Sequence, residues 1–285
     1  KFMREKFFNN LPSYNKNESG KERETDLEQK RENVEILLQS LKKVAADLKK
    51  IGIPVSEIDC RLSAEKNDQS YIEQARKKFS FRPENIYVDQ YTYGELLEMI
   101  VIVIFHLCLA NIKIKGQRVF CFGASAKDDV INKVDTLIVF EKNGETVCAI
   151  DEVTAFTPNS VTEKMDKVAE KNRQKNNQIE SGLKFDGLGK AYITRLFNKP
   201  IFFRSLAPQQ IEDAMKSLSE PDQPSDTIKK FFAIFVNLLN IETKALQIEI
   251  KHHPDRFSEI FQNNMNKFKP MLKKLENKAK KFQNY

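Results

Sequence analysis

Apolar residues recur at helical spacing through Val34, Leu37, Leu38, Leu41, Val44, Ala45, Leu48 and Ile51, a single stripe on an otherwise polar segment. Thr25 with Glu28 reads as the capping box that opens this helix, and Gly52 and Pro54 close it. From Ser56 to Arg82 the pattern predicts two helical pieces broken near Asn67-Asp68, the second capped by Ser70 with Glu73 and stopped by Arg82-Pro83. Thr92 and Glu95 form a further capping box. Past Glu98 the helix to Asn111 is apolar on all sides, as in a helix buried mid-domain.

The period then changes. Arg118 to Phe122, Val134 to Phe140 and Thr146 to Ile150 read as strands, the last two joined through Asn143-Gly144, a strong hairpin signal. Val161 to Ile179 reads as a polar helix. Ala191 to Ile193 and Ile201 to Arg204 read as strands, and Ala207-Pro208 opens a helix to Leu218. Glu220 to Ser225, with two prolines, is the linker candidate. Beyond it, Phe231, Phe232, Phe235, Leu238, Leu239 and Ile241 mark an apolar helix, and Pro254 and Pro270 punctuate the last helices. The expected class is α/β (α+β), a mixed sheet flanked by helices. It divides into a helical region 1–91, a core 92–219 and a basic helical region 226–285.

Charge refines this picture. The net charge is +7, and twelve basic residues against six acidic ones lie between Asp226 and Tyr285, a candidate contact for phosphate. The four cysteines show no CxxC spacing, which argues against zinc and disulfides and for a reducing, cytoplasmic setting. The apolar run Met99 to Ala110 is shorter than the ~20 residues that span a bilayer, so no membrane partner is expected. A Walker loop, a dinucleotide fingerprint and a GxSxG elbow are all missing.

The chemistry concentrates on the hairpin, where Asp135 and Asp151-Glu152 stand in strands that are otherwise apolar. A buried carboxylate needs a partner or a cation. With Asn143-Gly144 as a two-residue turn, Asp135 faces Glu152; a three-residue loop makes it face Asp151 instead. Lys133 and Arg204 are alternative partners for the acids. Opposed carboxylates favour a hard divalent ion, Mg²⁺ or Mn²⁺, able to activate water and neutralise charge on a phosphodiester.

Helix, strand, Asp-bearing strand, hairpin, acid-bearing strand, helix: this order, with Val134-Asp135 and Asp151-Glu152-Val153-Thr154, resembles the PD-(D/E)XK nuclease superfamily over Thr92 to Arg204. The resemblance implies metal binding by Asp135 and by Glu152, or by Asp151, with Glu98 or Glu95 as an added helical acid. The superfamily's lysine, two residues past the second acid, falls on Thr154 or Val153, and neither is a cation. Lys133, Lys164 and Lys167 are the substitutes; Lys133 shares the strand face of Asp135 by period-two alternation, and Lys164 and Lys167 begin the helix after the third strand.

Three readings follow: a metal-dependent nuclease acting on DNA or RNA, an inactive relative that binds nucleic acid or assembles, or a helical interaction protein. A protein partner or a homo-oligomer would use the long N-terminal helix. Lys164, Lys167, Lys171, Arg173 and the C-terminal helices would grip the backbone, and Phe79 and Phe81 could stack on bases.

Overall fold

The apolar stripe on the first helix, α1 (Gly20–Lys50), is buried: Val34, Leu37, Leu41, Val44 and Leu48 all face the core. The computed structural model describes residues 20–63, 86–89, 91–109, 116, 118–218 and 223–283. Thr25 lies inside α1 and does not cap it, because the helix starts at Gly20. Its end is as expected: Gly52 takes a left-handed φ of 82°, and the Ile53 amide turns back to the Leu48 carbonyl.

Residues 56–63 form turns and two isolated bridges, Val55 with Leu62 and Arg61 with Gly123, and no helix. This corrects the start of the expected helical pair. Its second piece, with Ser70, Phe79 and Phe81, lies outside the described residues.

A short antiparallel pair, β1 (Ile86–Val88) and β2 (Tyr91–Thr92), leads into α2 (Tyr93–Leu109), which is buried along nearly its whole length. Strands β3 (Val119–Gly123), β4 (Thr136–Phe140) and β5 (Glu145–Thr154) form an antiparallel meander. Helix α3 (Pro158–Arg173) follows, then a hairpin of β6 (Gln178–Phe185) and β7 (Ala191–Phe197). Strand β8 (Ile201–Leu206) returns parallel to the second half of β5, from Ala149 beside Ile201 to Thr154 beside Leu206. Strand β6 joins β5 only at its first half, with Glu145 beside Lys184. The ten residues of β5 therefore change neighbour midway. The expected polar helix to Ile179 ends early, and β6 occupies its tail.

Helices α4 (Pro208–Lys216), α5 (Asp226–His252) and α6 (Glu259–Gln283) complete the chain. Pro270 sits inside α6 and does not end it. A single apolar core runs from Val34 to Ala279, so the three expected regions share one interior among the described residues. Helix α5 is long and apolar enough to cross a membrane by length and composition alone. Here its Phe232 packs edge-on against Phe105 of α2, and Phe231, Phe235, Val236 and Leu239 are buried with it.

Candidate metal centre

The loop between β3 and β4 places the first acid. Residues Asp128–Asn132 form a π-helical turn, and Lys133 follows in a left-handed conformation (φ 52°, ψ 52°). Asp128 fastens this turn. Its buried carboxylate accepts from Ser125 Oγ (2.9 Å), Asn132 Nδ2 (2.7 Å) and the backbone amides of Glu180 (2.7 Å) and Ser181 (2.9 Å). The loop is thus tied to β6, and chain direction beyond it is fixed.

Asp135 then meets β5 by backbone and side chain. Its amide donates to the Ile150 carbonyl at 3.0 Å, and its Oδ2 accepts the Glu152 amide at 2.6 Å. The β4–β5 connection is neither of the two expected turns. Glu141–Asn143 make one 3₁₀ turn, Gly144 takes φ 65°, and Phe140 faces Glu145. A bulge at Val147 then shifts the register, so Thr136 faces Ile150 and Asp135 comes level with Asp151. The favoured pairing of Asp135 opposite Glu152 is corrected accordingly; Glu152 reaches Asp135 through its amide.

Helix α2 supplies the next acid. Glu95 is used in the cap, its Oε2 accepting from the Thr92 amide and hydroxyl at 2.9 Å each. Glu98, one turn on, is the acid that faces the centre. One oxygen each from Glu98, Asp129 and Asp135 lie within 4.8 Å of one another. Arg61 spans two of them, donating from Nη1 to Asp129 Oδ2 at 2.8 Å and from Nη2 to Glu98.

Arg61 owes its place to Gly123, since a Cβ there would lie 2.6 Å from Arg61 Cγ and 3.2 Å from its Cα. Gly123→Ala is expected to cost about 1–3 kcal/mol by overpacking, read as a lower urea midpoint.

The two acids of β5 divide. Asp151 turns to α3, pairing with Lys164 at Oδ1 and accepting from Lys171 Nζ at Oδ2 (3.1 Å). Lys171 also donates to the Lys133 carbonyl at 2.8 Å. Glu152 is 7% exposed, and neither of its oxygens makes a well-formed hydrogen bond among the described residues; nor does the Thr136 hydroxyl near it.

The electrostatics follow from burial. Burial raises Glu98 and Asp135 well above the usual carboxylate range; Arg61 opposes this at Glu98, and the charges of Glu98, Asp151 and Glu152 reinforce it at Asp135. Burial, with the Asp151 charge, pushes Glu152 up to about 7. Burial lowers Lys171, whereas at Lys164 the charges of Asp135 and Asp151 outweigh burial and raise it. Five carboxylates (Glu98, Asp129, Asp135, Asp151 and Glu152) thus meet three cations (Arg61, Lys164 and Lys171). A converging set of carboxylate oxygens, more numerous than the cations beside it, suits a hard divalent ion.

Other expected residues fall elsewhere. Lys133 precedes β4 in a left-handed turn, so strand alternation does not place it on the face of Asp135. Lys167 lies on the exposed side of α3. Arg204 pairs with Glu242 of α5, and Arg173 with Glu249. The lysines of α6 begin at the opposite end of β5, where Lys267 binds Glu145 at 2.8 Å. That is six residues from Asp151, or about 20 Å along a strand. Comparison with family models, with curated proteins and with solved structures finds no match for this chain.

Proposed function

We propose that this chain is a divalent-metal-dependent phosphodiesterase acting on nucleic acid, built on a PD-(D/E)XK-like core. The observation that carries the reading is the convergence of Glu98 from the second turn of α2, Asp129 from the β3–β4 loop and Asp135 from the residue before β4. The topology supports it: a helix, an antiparallel meander, a helix, then a strand parallel to the third. The β6–β7 hairpin is an addition between the last two elements.

Glu98, Asp129 and Asp135 would hold Mg²⁺ or Mn²⁺, with Glu152 beside them as a further oxygen ligand. Bound there, the ion supplies charge neutralisation at a phosphodiester and a more acidic water. The chain's own part is positional. The Glu152 amide fixes Asp135, and Asp151 keeps Lys164 and Lys171 charged and aimed at the carboxylate group. Lys164 takes the role of the cation missing at Thr154, offering an ammonium to the attacking water or to a phosphate oxygen.

The test is a panel of labelled single- and double-stranded DNA and RNA with Mg²⁺, Mn²⁺ or chelator. Cleavage is expected only with metal. Lys164→Met is expected to slow it by about 100-fold or more while nucleic-acid binding persists. Equal cleavage by Lys164→Met and wild type would remove this lysine from the site.

One observation favours a second reading. Arg61 already neutralises Glu98 and Asp129, as a metal would. In a non-catalytic relative this ion pair replaces the ion permanently, and calorimetry with Mn²⁺ would then show no heat of binding.

A further inference from the structure

We propose that Phe156 is a stacking platform for an unpaired nucleobase, which gives the substrate class as single-stranded DNA or RNA, or a frayed duplex end. The inference rests on the nucleic-acid reading above and deepens it. Phe156 is 41% exposed and follows Glu152 by four residues. Exposed single apolar residues are common on protein surfaces and carry no message by themselves. This one differs in how it is held.

Its backbone is pinned on both sides. The Ala155 amide donates to Leu206 and the Phe156 amide to Thr154, while Thr157 caps α3 by accepting from the Ser160 amide. Its ring stands edge-on to Tyr93, with centroids 5.8 Å apart and planes at 81°. Tyr93 is held in turn by an edge contact with Tyr87 at 5.2 Å and by its hydroxyl, which donates to Glu212 at 2.8 Å. Tyr93 opens α2, the helix of Glu98, and Phe156 leaves β5, the strand of Asp151 and Glu152. Two elements that supply the carboxylates therefore also fix the ring.

Four residues span at most about 14 Å, so the stacked base lies within about four nucleotides of a phosphate at the carboxylates. An aromatic face receives a base only when that base is not enclosed in a duplex stack. Stacking of this kind is sequence-tolerant, so no base preference is expected from it.

The chain has no tryptophan, so Phe156→Trp introduces a sole indole fluorophore. In an Asp135→Asn background, which prevents cleavage, an oligo(dT) strand is expected to quench its emission and a blunt duplex to leave it unchanged. Phe156→Ala should weaken binding of the single strand by roughly 5- to 150-fold and raise KM with kcat held, and Phe156→Tyr should restore both. A melting temperature equal to wild type identifies a folded Phe156→Ala protein. Unaltered single-strand affinity and KM in that variant, with metal-dependent cleavage intact, would overturn the stacking role and leave the nuclease reading standing. Absence of binding and cleavage in the wild type would overturn both.

Discussion

Asp135→Asn is expected to abolish metal-dependent cleavage, by a factor of about 1,000 or more, while making the metal-free protein more stable. The two effects share one cause. Asp135 is buried among Glu98, Asp129, Asp151 and Glu152, and its charge is disfavoured by burial and by those neighbours. Asparagine keeps an oxygen to accept the Glu152 amide, so the bond at 2.6 Å that closes the β4–β5 ladder survives. What is relieved is the burial of an ionisable group whose charged form is disfavoured there, which should raise the melting temperature by roughly 2–4 °C for each kcal/mol regained. A loss of several kcal/mol in stabilising developing charge corresponds to the expected rate effect.

Metal addition provides the control. At 100 times its Kd, an ion that binds only the folded state stabilises it by about 2.7 kcal/mol. Mg²⁺ or Mn²⁺ should therefore raise the wild-type melting temperature and leave Asp135→Asn almost unmoved. A variant that still cleaves, or a wild type whose melting is indifferent to both ions, would falsify the assignment of Asp135 as a ligand.

Much of the fold can be read from pattern alone where one period dominates. Helix α2 is apolar on all sides and proves buried, and Asn143-Gly144 does mark the hairpin. The misses have physical causes. Residues 56–63 lack a competing strand signal, yet the Arg61–Gly123 and Val55–Leu62 bridges draw them into tertiary pairing. Strand β6 has no clean alternation, and Gly182 interrupts it. In the fold the Leu196 side chain of β7 occupies the space above it, so a Cβ there would overlap that side chain. Pro270 reads as a stop but is accommodated within α6.

The site is legible to a similar depth. Asp135, Asp151 and Glu152 are the acids that pattern singles out, because they interrupt apolar strands; Glu98 enters only through the resemblance, with Glu95 as its alternative. The choice between Asp151 and Glu152 depends on register, and register depends on a bulge at Val147 inside an unbroken apolar run, which leaves no sequence signal. Asp129, Arg61 and Lys171 come from three separate elements, and only the fold brings them to the carboxylates. Asp129 had one visible cue, its place beside Asp128 ahead of β4. Once Asp151 faces α3, Lys164 and Lys171, about two turns apart on that helix, can both reach it.

Glu242→Ala should produce the largest loss of stability of any single change considered, about 3–5 kcal/mol. Arg204 on β8 is 0% exposed, and its Nη1 donates to Glu242 Oε1 at 2.8 Å and to the Phe203 carbonyl. Glu242 Oε2 accepts the Phe203 amide at 2.9 Å, so this α5 carboxylate also satisfies the backbone of β8 on the side away from β5. Burial pushes Glu242 upward even with Arg204 beside it, and Arg204 Nε and Nη2 make no hydrogen bond among the described residues. The pair is thus poorly compensated already, and removing the acid strands a buried guanidinium and a backbone amide together. Glu242→Gln, which keeps the acceptor but not the charge, should lose less. Arg204→Met combined with Glu242→Leu should recover most of the deficit, short of the ~1–3 kcal/mol for the orphaned Phe203 amide. Because Phe203 and Arg204 lie beside Asp151 and Glu152 in the β5–β8 ladder, Glu242→Ala should also reduce cleavage in step with its stability. Asp135→Asn should do the reverse, gaining stability as activity disappears. Urea midpoints and cleavage rates measured on both variants separate the two cases, and an unchanged midpoint in Glu242→Ala would show that α5 does not hold β8 through this pair.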